Sequence, residues 1–331
     1  MNQCPVCGSR FTRPRYRKGD YIVRSCAGCG LQFVPAELDA DTVASLYGPG
    51  YFTSSGAGYR DYVGEEATHR WQAGRYLRRL QQMGVRPGRL LDVGCAAGFF
   101  LDEARLHGWE VRGCDVSGYA AEIARDRLGL AVDVGNFLEL DYPPEHFDCI
   151  TCLNVFEHLT DPAAAVRRFA RLLRPGGTLV LETWDADSIT ARMLGATWHQ
   201  YAPPYVLFYY NRSSLERLFG PTHWERQQYS RCTKWISVRR GCEILARGTG
   251  GTIARSIARV GDGPVGRARL PYAMGDLVLA IYRRRAGIRE RRNGPRERRS
   301  RARPLATMGR ALRHDRRGAE AAPRIRTARA S

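Results

Sequence analysis

Five apolar runs between residues 89 and 184 alternate with segments whose apolar positions recur at helical spacing. The apolar runs are RLLDV, WEVRGCDVS, LAVDV, FDCITCLNV and TLVLETW. Strands separated by helices of about 10–15 residues form βαβ units around a parallel sheet. The pattern therefore predicts an α/β fold with a doubly wound, mostly parallel sheet. In such sheets, ligands bind at the carboxyl ends of the strands.

Local signals mark where several of the helices begin and end. Helical spacing runs from about Glu65 to Met83, and the sequence Arg-Pro-Gly at 86–88 predicts the end of that helix before the first strand. Asp161 followed by Pro162 predicts the start of another helix, because aspartate caps helix N-termini and proline fits the first turn. A further helical stretch is expected from about residue 238 to residue 260, before a last strand within GDLVLAIYRR.

Four cysteines near the N-terminus form two C-x2-C pairs separated by eighteen residues. They are Cys4, Cys7, Cys26 and Cys29, and each pair is followed by glycine. Two residues between thiolates let one tight turn direct both sulfurs at the same point, and the glycine permits a positive φ. The intervening segment contains a Gly-Asp turn and the strand-like run YIVR. This spacing predicts a zinc ribbon with a structural, fully protein-coordinated Zn²⁺; the alternative, two disulfides, suits an oxidising compartment.

A second pair with the same spacing, Cys149 and Cys152, lies in the apolar run FDCITCLNV. That run has no turn residues and predicts a strand. Positions i and i+3 of a strand face opposite sides, so these two thiols should point apart into the core. No second metal site is expected from them.

Most of the net positive charge of the chain is concentrated near its C-terminus. The chain has 331 residues and a net charge of +19, but residues 283–331 contribute 18 arginines against four acids, which leaves +5 for the other 282 residues. We expect 286–331 to be a disordered, Arg-rich tail without aromatic residues. The first residues lack the apolar run of a secretory signal, and no apolar run is long enough to span a membrane. The sequence therefore predicts a cytoplasmic protein without membrane insertion.

The first strand-to-helix turn, DVGCAAG, has small residues where a ligand would approach the backbone. These are Gly94, Ala96, Ala97 and Gly98. Asp115 ends the second strand 21 residues after Gly94, the spacing at which a carboxylate accepts hydrogen bonds from both ribose hydroxyls. Asp92 precedes the turn, where its charge disfavours a pyrophosphate and suits a cationic amino acid. The order of these features predicts a site for a nucleoside that carries an amino acid.

The ordered set LDVGCAAG, GCDVS, GNF, FDCITCLNVFEHLTDP and RLLRPGGTLVLET resembles the class I S-adenosylmethionine-dependent methyltransferases. The resemblance implies a Rossmann-like, seven-stranded, mostly parallel sheet and S-adenosylmethionine as cofactor. It implies that the turn Asp92–Gly98 holds the methionine portion of the cofactor, with Gly94, Cys95, Ala96 and Gly98 as contacts, and that Asp115 binds the ribose. The acid that usually meets the adenine is replaced by Asn136, so we expect an amide contact there with Phe137 beside it.

The wider chain resembles a bacterial group in which a four-cysteine ribbon precedes the methyltransferase domain. Members of that group act in sugar and polysaccharide pathways. The resemblance implies a ribbon at 1–34, a connecting or lid region at 35–88, and a methyltransferase domain at 89–285 with acceptor-side insertions at about 184–270. The lid segment LYGPGYF would place Tyr51 over the cofactor. The aromatic block WHQYAPPYVLFYY is expected to form part of the acceptor wall or of the core.

Methyl transfer requires alignment of acceptor, methyl group and sulfur, and a base only where the acceptor must lose a proton. His158, next to Glu157 after the fourth strand, is the best-placed candidate base. Related O-methyltransferases hold a divalent metal with an E-x-x-E-H sequence, but here Asn154 replaces the first acid, which argues against metal assistance. A structural role for His158 remains the alternative, and His199 and Tyr201 are weaker candidates.

Three classes of function are compatible with these motifs. The first is a methyltransferase acting on a small molecule: a sugar, nucleotide-sugar or related metabolite. The second is an RNA methyltransferase in which the ribbon and the basic tail hold nucleic acid, since aromatic and basic residues alternate at 10–21. The third, a zinc-ribbon scaffold without activity, conflicts with the intact cofactor motifs. The acceptor, the atom methylated and the oligomeric state are not specified by the sequence.

Overall fold

The computed structural model describes residues 3–54, 58–220, 222–247, 256 and 259–286. Residues Met1–Gly287 form one compact unit. The predicted tail at 286–331 lies, apart from residue 286, outside the described residues. Among the described residues, no helix has the length and apolar character needed to cross a bilayer.

The N-terminal segment forms a short antiparallel ribbon. Its strands are β1 (Thr12–Lys18), β2 (Tyr21–Cys26) and β3 (Gln32–Phe33). The turn between β1 and β2 falls at Gly19, whose φ of +55° favours glycine, and at Asp20. The hairpin predicted between the two cysteine pairs is therefore present. Two short helices, α1 (Ala40–Leu46) and α2 (Pro49–Thr53), follow it and precede the long helix α3 (Glu66–Gln82).

A seven-stranded sheet forms the centre of the molecule. Its strands are β4 (Arg89–Val93), β5 (Glu110–Asp115), β6 (Val132–Val134), β7 (Phe147–Leu153), β8 (Leu173–Trp184), β10 (Trp224–Arg231) and β13 (Leu277–Arg284). Their order is β10-β13-β8-β7-β4-β5-β6. The strands from β4 to β8 are parallel, and β13 runs antiparallel to both of its neighbours. The predicted Rossmann-like, mostly parallel sheet is confirmed, with the reversed strand inserted beside β8.

Helices cover both faces of this sheet. The helices that follow the strands are α4 (Phe99–Leu106), α5 (Gly118–Leu128), α6 (Pro162–Leu172), α7 (Ile189–Leu194) and α8 (Arg212–Leu218). Asp161 caps α6 by accepting a hydrogen bond from the Ala164 N–H, as predicted. The two faces are packed separately, and Cys149 and Cys152 of β7 belong to different hydrophobic clusters, one on each face. The predicted divergence of these thiols is confirmed.

Two small elements are added to the core of the fold. Strand β9 (Phe208–Tyr209) pairs with β3, so the ribbon and the aromatic block share a four-stranded sheet. Strands β11 (Lys234–Ser237) and β12 (Arg269–Tyr272) pair as a separate two-stranded sheet. The helix α9 (Val238–Arg247) lies between them in the sequence. The side chains of the aromatic block are largely buried, and none described between 198 and 210 lines the ligand cavity. The expected contribution to core packing is thus observed, and the expected acceptor wall is not.

Candidate functional site

A cavity of about 740 Å³ opens at the carboxyl ends of β4, β5, β6 and β7. Its size falls within the range of small-molecule sites, about 300–1,000 Å³. The sequence-predicted residues that line it are Asp92, Gly94, Cys95, Ala96, Asp115, Asn136, Phe137, Tyr51 and His158. Gly98, at the end of the turn, directly precedes α4 and does not line the cavity. The residues expected at the cofactor therefore come together around one space.

The glycine turn after β4 is held in a shape that demands small residues. Gly94 has a φ of +74°, and a Cβ at this position would lie 2.3 Å from Cγ2 of Val155. Gly98 has a φ of +78°, and its Cβ would lie 2.5 Å from a methyl group of Leu130. Ala96 also has a positive φ, of +47°. The turn can therefore present its backbone to a ligand at close range.

Asp115 connects the second strand to this turn. One carboxylate oxygen accepts a hydrogen bond from the Ala96 N–H and the other from the Ser117 N–H, each at 2.8 Å. Burial raises the pKa of Asp115, and the backbone hydrogen bonds oppose that shift. Each oxygen retains a lone pair, so the carboxylate can accept two further hydrogen bonds from a vicinal diol.

Asp92 lies at the other side of the turn and is also buried. Its Oδ1 accepts a hydrogen bond from the Thr151 hydroxyl at 2.6 Å. Burial raises the pKa of Asp92 to about 7, and the negative charge of Asp115 acts in the same direction. A cation placed in the cavity would favour the ionised carboxylate. The site is therefore suited to a positively charged group beside the turn.

The loop after β6 forms the wall beyond Asp115. The Asn136 side chain is engaged locally: its Oδ1 accepts from the Leu138 N–H, and its Nδ2 donates to Glu139. Phe137 is buried and stacks on Phe169, with ring centroids 5.0 Å apart. Glu139 also lines the cavity. Asn136 thus lines the cavity, and its contact with an adenine stays a prediction; Glu139 adds a carboxylate that the sequence pattern did not indicate.

Aromatic side chains from the segment between the ribbon and α3 cover the cavity. Tyr51 contacts the rings of Tyr47 and Tyr205, at centroid distances of 5.0 and 5.8 Å. Tyr62 stacks on His69 and Phe99. Burial raises the pKa of Tyr51 well above its usual range, so this phenol stays neutral. The predicted cover by Tyr51 is consistent with this packing.

His158 lies in the wall of the cavity in a 3₁₀ turn after β7. Its Nδ1 is 2.5 Å from the backbone oxygen of Tyr205 and 3.0 Å from the Tyr47 hydroxyl. Since a backbone carbonyl only accepts, Nδ1 carries the proton and Nε2 has the free lone pair in the neutral ring. Nε2 lies 4.0 Å from Oε1 of Glu157. The ring is thereby fixed in one tautomer.

Glu157 lies behind His158 rather than in the cavity wall. The residue is fully buried; its Oε2 accepts from the Thr183 hydroxyl at 2.8 Å, and its Oε1 has no hydrogen-bond partner among the described residues. Burial raises the pKa of this carboxyl, and the charge of His158 opposes the shift. Glu157 can therefore act on an acceptor only through His158. His199 is hydrogen-bonded to Tyr272 and Tyr201 to Gln32, and neither lines the cavity.

Sequence reasoning missed Glu182, a buried carboxylate of β8 that lines the cavity. It accepts hydrogen bonds from Tyr76 of α3, from Asn154 after β7 and from the Cys232 thiol. Asn154, which occupies the position of a metal-binding acid in the related motif, is thus committed to Glu182. A lone acid within the apolar run TLVLETW was the available signal. Glu182 thus connects α3, the loop after β7 and the segment after β10 at the cavity.

The four N-terminal cysteines converge on one point. Their sulfur atoms all lie within 4.8 Å of one another; Cys4 and Cys29 are 3.6 Å apart, and Cys7 and Cys26 are 3.5 Å apart. None is in a disulfide. Four thiolates at these separations match the tetrahedral coordination of a structural metal such as Zn²⁺. The cluster can hold an ion with every position supplied by protein, as the spacing predicted.

The ribbon is joined to the wall that holds His158. Besides the β3–β9 pairing, the Val34 N–H donates to the Leu207 carbonyl, and the Leu207 N–H donates to the Glu157 carbonyl. The hydroxyl of Tyr201 donates to Gln32 of the ribbon at 2.6 Å. The segment from Tyr205 to Leu207 therefore contacts the ribbon on one side and the His158 turn on the other.

Residues 65–225 match the family model described as "Methyltransferase domain". The match covers 161 of the 331 residues, so this part of the chain is similar to a methyltransferase domain, and it contains five strands of the central sheet. The structure of the YcgJ protein from Bacillus subtilis is 19% identical, covers 66% of this chain and 99% of that chain, and gives a TM-score of 0.48.

Part of the chain is also similar to two curated proteins of known name. The chain is 36% identical over 125 residues to "Ubiquinone biosynthesis O-methyltransferase" of Alkalilimnicola ehrlichii, covering 35% of this chain and 50% of the relative. It is 36% identical over 118 residues to the protein of the same name from Thiobacillus denitrificans, covering 33% and 51%. The chain spans about half the length of the curated relatives it matches.

Proposed function

We propose that this protein transfers a methyl group from S-adenosylmethionine to a small molecule, a sugar, nucleotide-sugar or related metabolite. The observation that supports it best is the cavity itself, where the backbone of the glycine turn, Asp115 and Asp92 lie around one space. Asp115 would accept the ribose hydroxyls, and Asp92 would face the amino group. The names of the relatives favour oxygen as the methylated atom. The sulfonium of the bound cofactor supplies the methyl group.

The test is transfer of labelled methyl groups from S-adenosylmethionine into an extract of the source cells. Products are separated by size and by sensitivity to nuclease. Label in small, nuclease-resistant molecules supports the proposal and provides the acceptor for identification. Label confined to large, nuclease-sensitive material would contradict it and assign the activity to RNA.

One feature keeps RNA as a second candidate acceptor. The outer strand of the ribbon exposes Arg13, Arg15 and Arg17, and Phe11 beside them is 81% exposed. Basic side chains with an exposed aromatic ring suit single-stranded nucleic acid. Binding of RNA through these residues would weaken steeply with added salt, whereas binding of a small metabolite would change little.

The pH dependence of cofactor binding tests the placement of Asp92. Its pKa of about 7 means that the free site takes up its negative charge as the pH rises through neutrality. We expect the affinity for S-adenosylhomocysteine, whose ammonium needs that charge, to rise by up to about tenfold per pH unit below 7 and to level off above it. Isothermal titration calorimetry measures the profile. Asp92→Asn should bind more weakly and lose this slope; a parent profile without the slope would contradict the placement.

For catalysis we propose that Nε2 of His158 takes the proton of the acceptor, while Glu157 acts as a positioning residue that stabilises the charged ring. The replacement His158→Gln is expected to lower kcat by about 10²–10⁴-fold, the usual contribution of a general base. The affinity for S-adenosylhomocysteine should stay unchanged, and the acidic limb of the kcat/KM profile against pH should disappear. If the limb persists in this variant, His158 has a structural role only.

We further propose that the four-cysteine cluster holds a structural Zn²⁺. Its sulfur positions and the absence of disulfides support this. A closed set of four protein ligands leaves no coordination position for an acceptor, so the metal would stabilise the ribbon and take no part in methyl transfer.

A further inference from the structure

Lysine is rare in this protein, and one of its two lysines faces the ligand cavity. The sequence contains only Lys18 and Lys234, against fifty arginines. Lys18 lies in the ribbon and donates to the Ala196 carbonyl at 3.1 Å. Lys234 lies at the start of β11 and lines the cavity. Lys234 therefore brings a compact, flexible ammonium to a ligand site, whereas nearly all other basic residues of the chain are arginines.

No residue in the described part of the chain pairs with the charge of Lys234. Within the described residues, it forms neither an ion pair nor a side-chain hydrogen bond. The carboxylate of Glu182 also lines the cavity, but its oxygens already accept from Tyr76, Asn154 and Cys232. Strand β11 is attached to α3, because the backbone N–H of Trp235 donates a hydrogen bond to the side-chain oxygen of Gln72. The ammonium is thus held at the cavity while its three donors remain available.

A second polar side chain of the cavity lining, His69, has a ring nitrogen without a hydrogen-bond partner among the described residues. Nε2 of His69 is buried and has no hydrogen bond among the described residues. Lys234 is close enough for its charge to lower the pKa of His69, although burial is the larger cause. His69 is therefore neutral and can donate one ring N–H. An anion would satisfy both the ammonium and the imidazole.

Lys234 is the only lysine or arginine among the described residues that line the cavity. The walls formed by the β4 turn, β5 and the loop after β6 carry Asp92, Asp115 and Glu139, which suit the cationic cofactor. Lys234 comes instead from the β11–β12 hairpin, which belongs to its own two-stranded sheet. Lys234 is thus the one basic group of this lining that can neutralise an anionic ligand by its charge.

We propose that the methyl acceptor is an anionic small molecule, bearing a carboxylate or a phosphate, and that Lys234 binds this anionic group with His69 beside it. This inference rests on the proposed function and narrows it: a neutral sugar would leave the ammonium without a partner. The lysine selects for charge and hydrogen-bonding capacity rather than for the planar, bidentate geometry that arginine prefers.

The first test separates the labelled products of the methyl-transfer reaction on an anion-exchange resin at neutral pH. Retention of the labelled small molecule on the resin is the expected result. Label found only in the unretained fraction would overturn the anionic acceptor while leaving methyl transfer to a small molecule intact. Absence of label from every fraction would overturn the proposed function, and this inference with it.

The second test uses the resin-retained fraction as the acceptor with Lys234→Met and the control Lys18→Met. Methionine keeps most of the apolar stem and removes the charge. We expect Lys234→Met to lower kcat/KM for the retained acceptor by about 10- to 100-fold, the usual effect of one hydrogen bond to a charged group. Lys18→Met should match the parent, and Lys234→Arg should recover part of the loss. Thermal unfolding of all three variants shows whether they are folded.

Affinity for S-adenosylhomocysteine distinguishes this role from a contact with the cofactor's own carboxylate. We expect Lys234→Met to bind S-adenosylhomocysteine as tightly as the parent does. If that affinity falls as much as kcat/KM, Lys234 belongs to the cofactor site and the proposal is wrong. An unchanged kcat/KM in the folded variant would overturn it as well.

Discussion

Replacing Asp115 with alanine is expected to weaken the binding of S-adenosylmethionine and S-adenosylhomocysteine by about 100-fold or more, because two hydrogen bonds to a charged acceptor are lost. The structure adds a second reason. The same carboxylate accepts the N–H groups of Ala96 and Ser117, so it holds the glycine turn in the shape that the cofactor needs. Isothermal titration calorimetry with S-adenosylhomocysteine measures the loss without requiring a known acceptor.

The fold should survive this change. Burial opposes ionisation of Asp115, as the raised pKa indicates, so removing the carboxylate also removes an unfavourable buried charge. We expect a cooperative unfolding transition with a modestly lower midpoint. Asp133→Ala is the matched control: this acid also lies in a parallel strand, β6, but it pairs with Arg112 and does not line the cavity. A folded Asp115→Ala protein that binds as tightly as the parent would show that the ribose lies elsewhere.

The sequence was sufficient for the features that depend on local pattern. The alternation of apolar runs and helical segments predicted the parallel strands, because each strand and helix carries its own periodicity. The position of Asp115 followed from the length of one βα unit, which fixes how far the end of β5 lies from the turn. The opposite orientations of Cys149 and Cys152 followed from the two-residue repeat of a strand.

The features that the sequence did not predict depend on contacts between distant segments. Strand β9 has only two residues, and its pairing with β3 joins positions about 175 residues apart, for which no local periodicity exists. Glu182 and Lys234 enter the cavity because β8 and the β11–β12 hairpin converge on α3. For the same reason, the sequence could not decide whether the aromatic block lies at the acceptor or in the core; in the structure it packs in the core, against the ribbon.

Replacing Cys26 with serine is expected to release the proposed zinc and to unfold the ribbon. Cys26 is buried, its sulfur lies 3.5 Å from that of Cys7, and it also accepts a hydrogen bond from the Gly28 N–H. In small zinc modules, metal binding supplies folding free energy of roughly 10–16 kcal/mol, so a ribbon without metal has little else to keep it folded. Inductively coupled plasma mass spectrometry should find one zinc per parent chain and almost none in the variant.

Loss of the ribbon should extend to the His158 wall, because the pairing of β3 with β9 holds the segment that carries the Tyr205 carbonyl. We therefore expect faster proteolysis near residues 200–210 and a large loss of activity, with S-adenosylhomocysteine binding reduced less, since Asp115 and the glycine turn belong to the central sheet. Cys242→Ser, which changes a half-buried thiol outside the cluster, should retain zinc and behave like the parent. A Cys26→Ser protein that retains a full equivalent of zinc would contradict the assignment of this ligand. A zinc-free variant with unchanged proteolysis at 200–210 would instead show that the ribbon does not support the wall.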